Sequence, residues 1–239
     1  MNRIESRTAR PRWERRKDAR PSELLAAALS LFVEKGYAGT RLDDVAARAG
    51  VSKGTLYLYF DNKEDLFKAV VRENISRNIE AGREEAAKFE GHSAQLLRYL
   101  IGEWFSRIAS GPASGIAKLM IAESGNFPEI ASFYLAEVIE PAHALMQGVI
   151  RRGIGRSEFR RVDPGLFVHT MFAPMVMLLL WKHSFGPCSS KALDPKAYLA
   201  LHIENTIAAL RPEPQAQPKT SASRATKRRS AGLNRAVHA

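Results

Sequence analysis

Cysteine is nearly absent: Cys188 stands alone in 239 residues. One thiol excludes an internal disulfide framework and fits a reducing compartment. Long apolar runs are missing too. The most apolar stretch, LFVHTMFAPMVMLLLW at 166–181, is interrupted by His169, Thr170 and Pro174. It is shorter than the roughly 20 residues of a membrane-spanning helix, so it reads as a buried helix or a dimer seam. The opening MNRIESRTARPRWERRKDAR has no apolar core of a secretory leader. The histidines show no metal-ligand spacing. GPASG at 111–115 lacks the Lys-Ser/Thr that completes a phosphate loop, and no nucleophile elbow appears. The expectation is a cytoplasmic protein that is not an enzyme, with no metal, no cofactor and no membrane partner.

What is abundant is positive charge, net +11, and it is unevenly placed. Residues 1–20 hold eight Lys/Arg against three acids, and residues 211–239 hold seven against one. The body between them is neutral, with 21 basic and 21 acidic residues. The ends read as basic arms whose composition supports no packed core. They read either as solubilising ends or as arms with sequence-blind attraction to phosphate, and only beside a DNA-binding body would Arg15, Arg16, Lys17 and Arg20 be expected along the backbone or in the minor groove. Any specific recognition has to come from the body.

No strand pattern stands out, and the body reads as successive amphipathic helices. Ser22 is a plausible cap for a first helix to about Lys35, with Leu25, Ala28, Leu29 and Phe32 at helical spacing and Gly36 ending it. Thr40 with Asp43 suggests a capping box for a short second helix. Gly50 centres a tight turn. Ser52 caps a third helix, and Asp61 or Asn62 a fourth. Two short helices joined by a glycine turn make a helix-turn-helix. Further on, Pro141 predicts a kink or restart. Asp163-Pro164 and Asp194-Pro195 each predict a capped helix start.

The stretch LSLFVEKGYAGTRLDDVAARAGVSKGTLYLYFDNKEDLFKAVV resembles the DNA-binding domain of the TetR family of bacterial transcriptional regulators. The matching positions are Phe32, Gly36-Tyr37, Thr40, Val45-Ala46, Ala49-Gly50-Val51-Ser52, Gly54-Thr55, Tyr57, Tyr59-Phe60, Lys63-Glu64 and Leu66. The resemblance implies an all-α homodimer. Each subunit would join an N-terminal three-helix helix-turn-helix domain to a C-terminal helical domain for ligand binding and dimerisation. The expected division is a basic arm at 1–17, a DNA-binding domain at 18–78 with its motif at about 41–60, a helical domain at 79–210 and a basic tail at 211–239. The implied function is ligand-responsive repression at a palindromic operator. Activation of transcription, or a chromosome-organising role on the same fold, stays open.

The DNA-facing residues expected are Thr40, Arg41, Lys53, Gly54, Thr55, Tyr57, Tyr59 and Lys63. A recognition helix meets base edges with its N-terminal residues. There Lys53 can donate to phosphate or guanine, Gly54 allows close backbone approach, and Thr55 offers a hydroxyl or a methyl. Matching to the family gives Thr40, Tyr57 and Lys63 phosphate roles, with Thr40 divided between that and capping. Asp43 is assigned to capping; Asp44 faces away or pairs with an arginine. Leu42, Val45, Leu56 and Phe60 are expected in the core.

In the C-terminal region the candidates for a small apolar effector are Trp104, Phe105, Met120, Phe127, Phe133, Tyr134, Met171, Phe172, Met175 and Trp181. Such a set suits an apolar ligand, but spacing does not choose the pocket subset from ordinary core. Glu103, Glu123 and His169 are the nearby polar groups. The helix around 171–181 and the last helix, 198–210, are the expected dimer surfaces.

Overall fold

The computed structural model describes residues 12–212, with side-chain surroundings from Pro21 onward. The expected basic arm and tail fall largely outside the described residues. Every regular element within them is helical.

Helix α1 (Arg12–Gly39) runs through Ser22 instead of starting there, because Pro21 is accommodated within it. Its α geometry breaks at Gly36, whose φ of 76° no L side chain adopts readily. A Cβ there would also sit 3.0 Å from the Glu123 carboxylate. Helices α2 (Leu42–Arg48) and α3 (Lys53–Tyr57) form the helix-turn-helix, with Gly50 at φ 66° between them. Ser52 caps α3 by accepting from the Thr55 N–H. Asn62, not Asp61, caps α4 (Lys63–Val71), accepting from the Asp65 N–H.

A π turn at Arg72–Ser76 carries α4 into α5 (Arg77–Lys88). Helix α6 (Ser93–Trp104) ends in a second π turn, Phe105–Ala109. A 3₁₀ turn, Pro112–Gly115, leads into α7 (Ile116–Glu123). Helix α8 (Pro128–Tyr134) passes through a third π turn, Leu135–Ile139, into α9 (Glu140–Gly155). Pro141 thus sits just past a π turn in a helix that continues through it, and the Glu137 carbonyl that its missing N–H leaves free accepts from the Ser76 hydroxyl at 3.3 Å. Helices α10 (Pro164–His183) and α11 (Pro195–Leu210) start at Asp163 and Asp194, whose carboxylates accept from the Leu166 and Lys196 N–H groups. Among the described residues, α10 alone is long and apolar enough to cross a membrane. Val168, Met171, Met175, Leu178 and Leu179 bury one side of it in the protein.

Two apolar cores result. The first joins α1–α4 to Ile108, Ile116, Leu119, Met120, Ile130 and Val138. At its centre Phe32, Tyr37 and Phe67 pack ring on ring, and Phe127 meets Tyr37 edge-on at 4.8 Å. The second gathers α6, α9, α10 and α11. The expected border at residue 78/79 thus lies inside a continuous core. Trp104 packs against both.

Candidate DNA-reading face and effector cavity

The helix-turn-helix exposes one edge and buries the other. Val45, Ala46 and Leu56 are inside, while Leu42 and Phe60 are partly buried against the same core. Tyr57 and Tyr59 are exposed, and between them Leu58 is 82% exposed. Arg41, Lys53 and Gly54 lie on the surface and Thr55 is half-buried. Thr55 Oγ1 shares a hydrogen bond with Ser52 Oγ at 2.8 Å. These residues therefore form one exposed edge beginning at the N-terminus of α3.

Two expected contacts sit elsewhere. Thr40 is 1% exposed, and its hydroxyl donates to the Gly36 and Leu31 carbonyls. It neither caps α2 nor reaches solvent. The N-cap position of α2 is Arg41, with no side-chain cap bond. The nearer acceptor of the Thr40 hydroxyl, at 2.7 Å, is the carbonyl of Gly36, where α1 breaks. Lys63 likewise turns inward. Its Nζ donates to the Tyr37 and Ala38 carbonyls at 2.8 and 3.3 Å and lies over the Tyr37 ring. Burial holds this ammonium below the usual lysine range, and it ties the end of α1 to the start of α4. Asp43 pairs with Lys53, and Asp44 pairs with Lys35 rather than an arginine. Leu58 and the Asp43–Lys53 pair had no separate sign in the sequence, where Asp43 was assigned to capping.

The second site lies where the two cores meet. A cavity of about 250 Å³ is enclosed by the π turns, α7, α9 and α10. Its walls are aliphatic and aromatic, including Ile75, Ile108, Ala117, Val138, Phe172 and Met175. A smaller hollow of about 60 Å³ shares Ile79, Trp104, Ile108, Ala142 and Phe172 with it, and adds Asn78, Tyr99, Glu103 and Arg107. The two hollows share walls and are both mostly apolar, with Asn78, Glu103 and Arg107 adding polar groups to the smaller one. Two polar groups enter the chamber. The Tyr134 hydroxyl has no protein hydrogen-bond partner among the described residues, and burial pushes its pKa up to about 12. His143 stacks on Phe172 at 4.9 Å and meets His169 edge-on at 4.8 Å. Burial, then the neighbouring His169, lowers its pKa. The chamber therefore offers a hydroxyl that resists ionisation and an imidazole that resists protonation within apolar walls.

Of the aromatic and Met candidates, Trp104, Tyr134, Phe172 and Met175 line this space. The structure does not bring the others to it. Met120 and Met171 are buried in the first and second cores. Phe105 packs on the second core, and Phe127 on Tyr37. Phe133 lies under the Lys68 and Arg72 cations. Trp181 stands beside Phe185, its indole N–H buried without a partner among the described residues. Sequence reasoning favoured large side chains, whereas much of the wall is Ile, Val and Ala plus His143.

Comparison with known proteins settles the kinship. Residues 24–70 match bacterial regulatory proteins of the tetR family, and residues 90–190 match the tetracyclin repressor-like C-terminal domain. Together the two matches span more than half of the chain. The protein belongs to the TetR family. It is a DNA-binding transcriptional regulator that responds to a ligand. It is 28% identical over 146 residues to the fatty acid metabolism regulator protein of Bacillus subtilis, covering 60% of this chain and 74% of that protein. It is 29% identical over 195 residues to the transcriptional repressor KstR2 of Rhodococcus jostii, covering 79% and 91%. The structure of the regulator FadR from Bacillus subtilis in complex with stearoyl-CoA has the same fold. That likeness has a TM-score of 0.63 and 21% identity, over 80% of this chain and 99% of that one.

Proposed function

We infer that the protein is a homodimeric repressor, working in the bacterial cytoplasm on the nucleoid, that holds a palindromic operator until an effector enters the chamber. The effector proposed is elongated and mostly apolar, with an oxygen-bearing polar head: a long-chain acyl thioester. The observation that carries this is the chamber itself, with mostly apolar walls and the polar side chains of Tyr134, His143, Asn78, Glu103 and Arg107 among its lining and that of the adjoining hollow. A relative concerned with fatty acid metabolism and a fold neighbour bound to stearoyl-CoA support the same class.

Helix α7 supports coupling of the two sites. Ala117 and Ile121 line the chamber, while Glu123 at its end accepts from the Ala38 N–H at 3.3 Å. A ligand that displaces α7 thereby acts on the turn before the helix-turn-helix. Arg72 and Glu137 join a π turn of each half through a two-bonded ion pair. For dimerisation, Leu166 and Met177 on α10 and Leu201 on α11 are large apolar side chains left exposed, a face suited to a second copy.

Fluorescence anisotropy with the DNA upstream of the protein's own coding sequence tests the reading. Saturable, sequence-selective binding that stearoyl-CoA reverses is expected. Lys53→Ala with Tyr57→Phe should cost about 1–3 kcal/mol for each good DNA interaction removed. Selective binding indifferent to acyl thioesters would remove the proposed effector class and leave DNA recognition standing.

A further inference from the structure

Asp43 is out of place on a surface that meets phosphate. A carboxylate there repels the duplex, and α2 does not use it as a cap. Instead it reaches across to α3, with Oδ1 2.8 Å and Oδ2 3.2 Å from Lys53 Nζ. The neighbouring Asp44 turns the other way, to Lys35 on α1 at 2.9 Å. The Lys53 ammonium also stands 5.9 Å from the centre of the Tyr57 ring. The pair therefore spans the first turns of both helices in the motif, and both side chains are at least half exposed. Arg41 lies close enough for its charge to act on Lys53, and it makes no direct ion pair among the described residues.

The neutrality of the pair has a chemical use. A free lysine at this edge is drawn to any phosphate, whatever the sequence. A lysine held by a carboxylate presents a donor and an acceptor side by side. The major-groove edge of a G·C pair is the complement: guanine N7 and O6 accept, and cytosine N4 donates. We propose that Asp43 and Lys53 act as one base-reading pair that selects a G·C base pair in each half-site. Lys53 donates to the guanine, Asp43 accepts from the cytosine, and Asp43 keeps Lys53 off the phosphates. This rests on the reading of the α3 edge as the DNA face and adds what that edge reads.

The test is selection of duplexes from a randomised pool by the intact protein, its Asp43→Asn and Lys53→Gln variants, and the double variant. Anisotropy then compares a selected duplex with a random one over a salt series. The wild type should fix a G·C pair at symmetric positions, and each variant should relax that position. Asp43→Asn should bind random duplex more tightly, with a salt slope steeper by about 0.9 per protomer as Lys53 reaches a phosphate. Its preference for the selected duplex should fall about tenfold or more. The double variant should relax the position no further than Lys53→Gln. Both residues are exposed, so thermal melts like the wild type's separate impaired reading from impaired folding. An unchanged slope and motif in Asp43→Asn, or an A·T pair at the position, overturns the proposal while leaving DNA binding intact. A wild type that selects no motif removes both readings.

Discussion

The proposed DNA-reading edge and the proposed effector chamber are built by opposite rules. The first comes from one short run of chain, residues 41–59, and shows its polar groups to solvent. Its geometry is set locally, by the Ser52 cap, the Gly50 turn and the Asp43–Lys53 pair. The second is collected from residues between Ile75 and Leu179 and hides nearly every polar group. No local motif sets it; it is the space left where two cores meet. Trp104, packed on both cores and facing the chamber, belongs to neither alone. An exposed edge is changed one side chain at a time, whereas a chamber changes with every helix around it.

The strongest way to break this contrast is to strike what the two regions share. Phe67 is fully buried in the first core, with Phe32 and Tyr37 on its ring. Phe67→Ala should cost about 3–5 kcal/mol. In urea unfolding followed by circular dichroism and by tryptophan fluorescence, both signals should shift together, since the core crosses the expected domain border. Separate transitions would show that the halves fold apart.

Ala142→Phe sharpens the contrast from the chamber side. Ala142 lines both hollows, and a ring there fills space that a ligand needs. Overpacking should cost about 1–3 kcal/mol of stability. Operator affinity should persist while the response to stearoyl-CoA disappears in the anisotropy titration. A variant that still releases DNA on adding the thioester would place the ligand elsewhere.

A smaller effect is expected at the reading edge. Ser52→Ala removes the oxygen that accepts from the Thr55 N–H and should cost about 1 kcal/mol in thermal unfolding. Operator affinity should fall with it, because so short a helix as α3 leans on its cap, and the acyl thioester should bind as before. The smallest effect is that of pH. Burial is the leading cause that lowers the pKa of His143, His183 and His202, all in the effector half. The unfolded chain therefore takes up protons before the folded one does. The contribution of these groups is complete above the ordinary histidine value near 6.5 and is lost as pH falls through the lower folded values. Scanning calorimetry from pH 7 downward should show a modest decline in Tm, less steep in His143→Gln.

The same contrast explains what the amino-acid sequence discloses. Caps and turns are local, so Ser52, Asp163, Asp194 and Gly50 could be read from spacing and were found in those roles. The all-α fold followed from helical periodicity. The partners that Thr40 and Lys63 find could not be foreseen because they are main-chain carbonyls at the end of α1, groups that have no letter of their own. The chamber was legible only in part. Trp104, Phe172 and Met175 are large enough to attract notice, but Ala117, Ala142 and Ile139 line it only because of how distant helices cross. His143 entered through α9, where nothing local sets it apart from a surface histidine.

The three π turns, at 72–76, 105–109 and 135–139, supply Ile75, Ile108, Val138 and Ile139 to the chamber wall. A π turn holds one residue more than an α turn and is the looser winding of the two. The chamber is thus bounded by the points where three helices carry spare length. Its outline is drawn where the backbone has a residue to give, and its size is tied to how tightly three helices are wound.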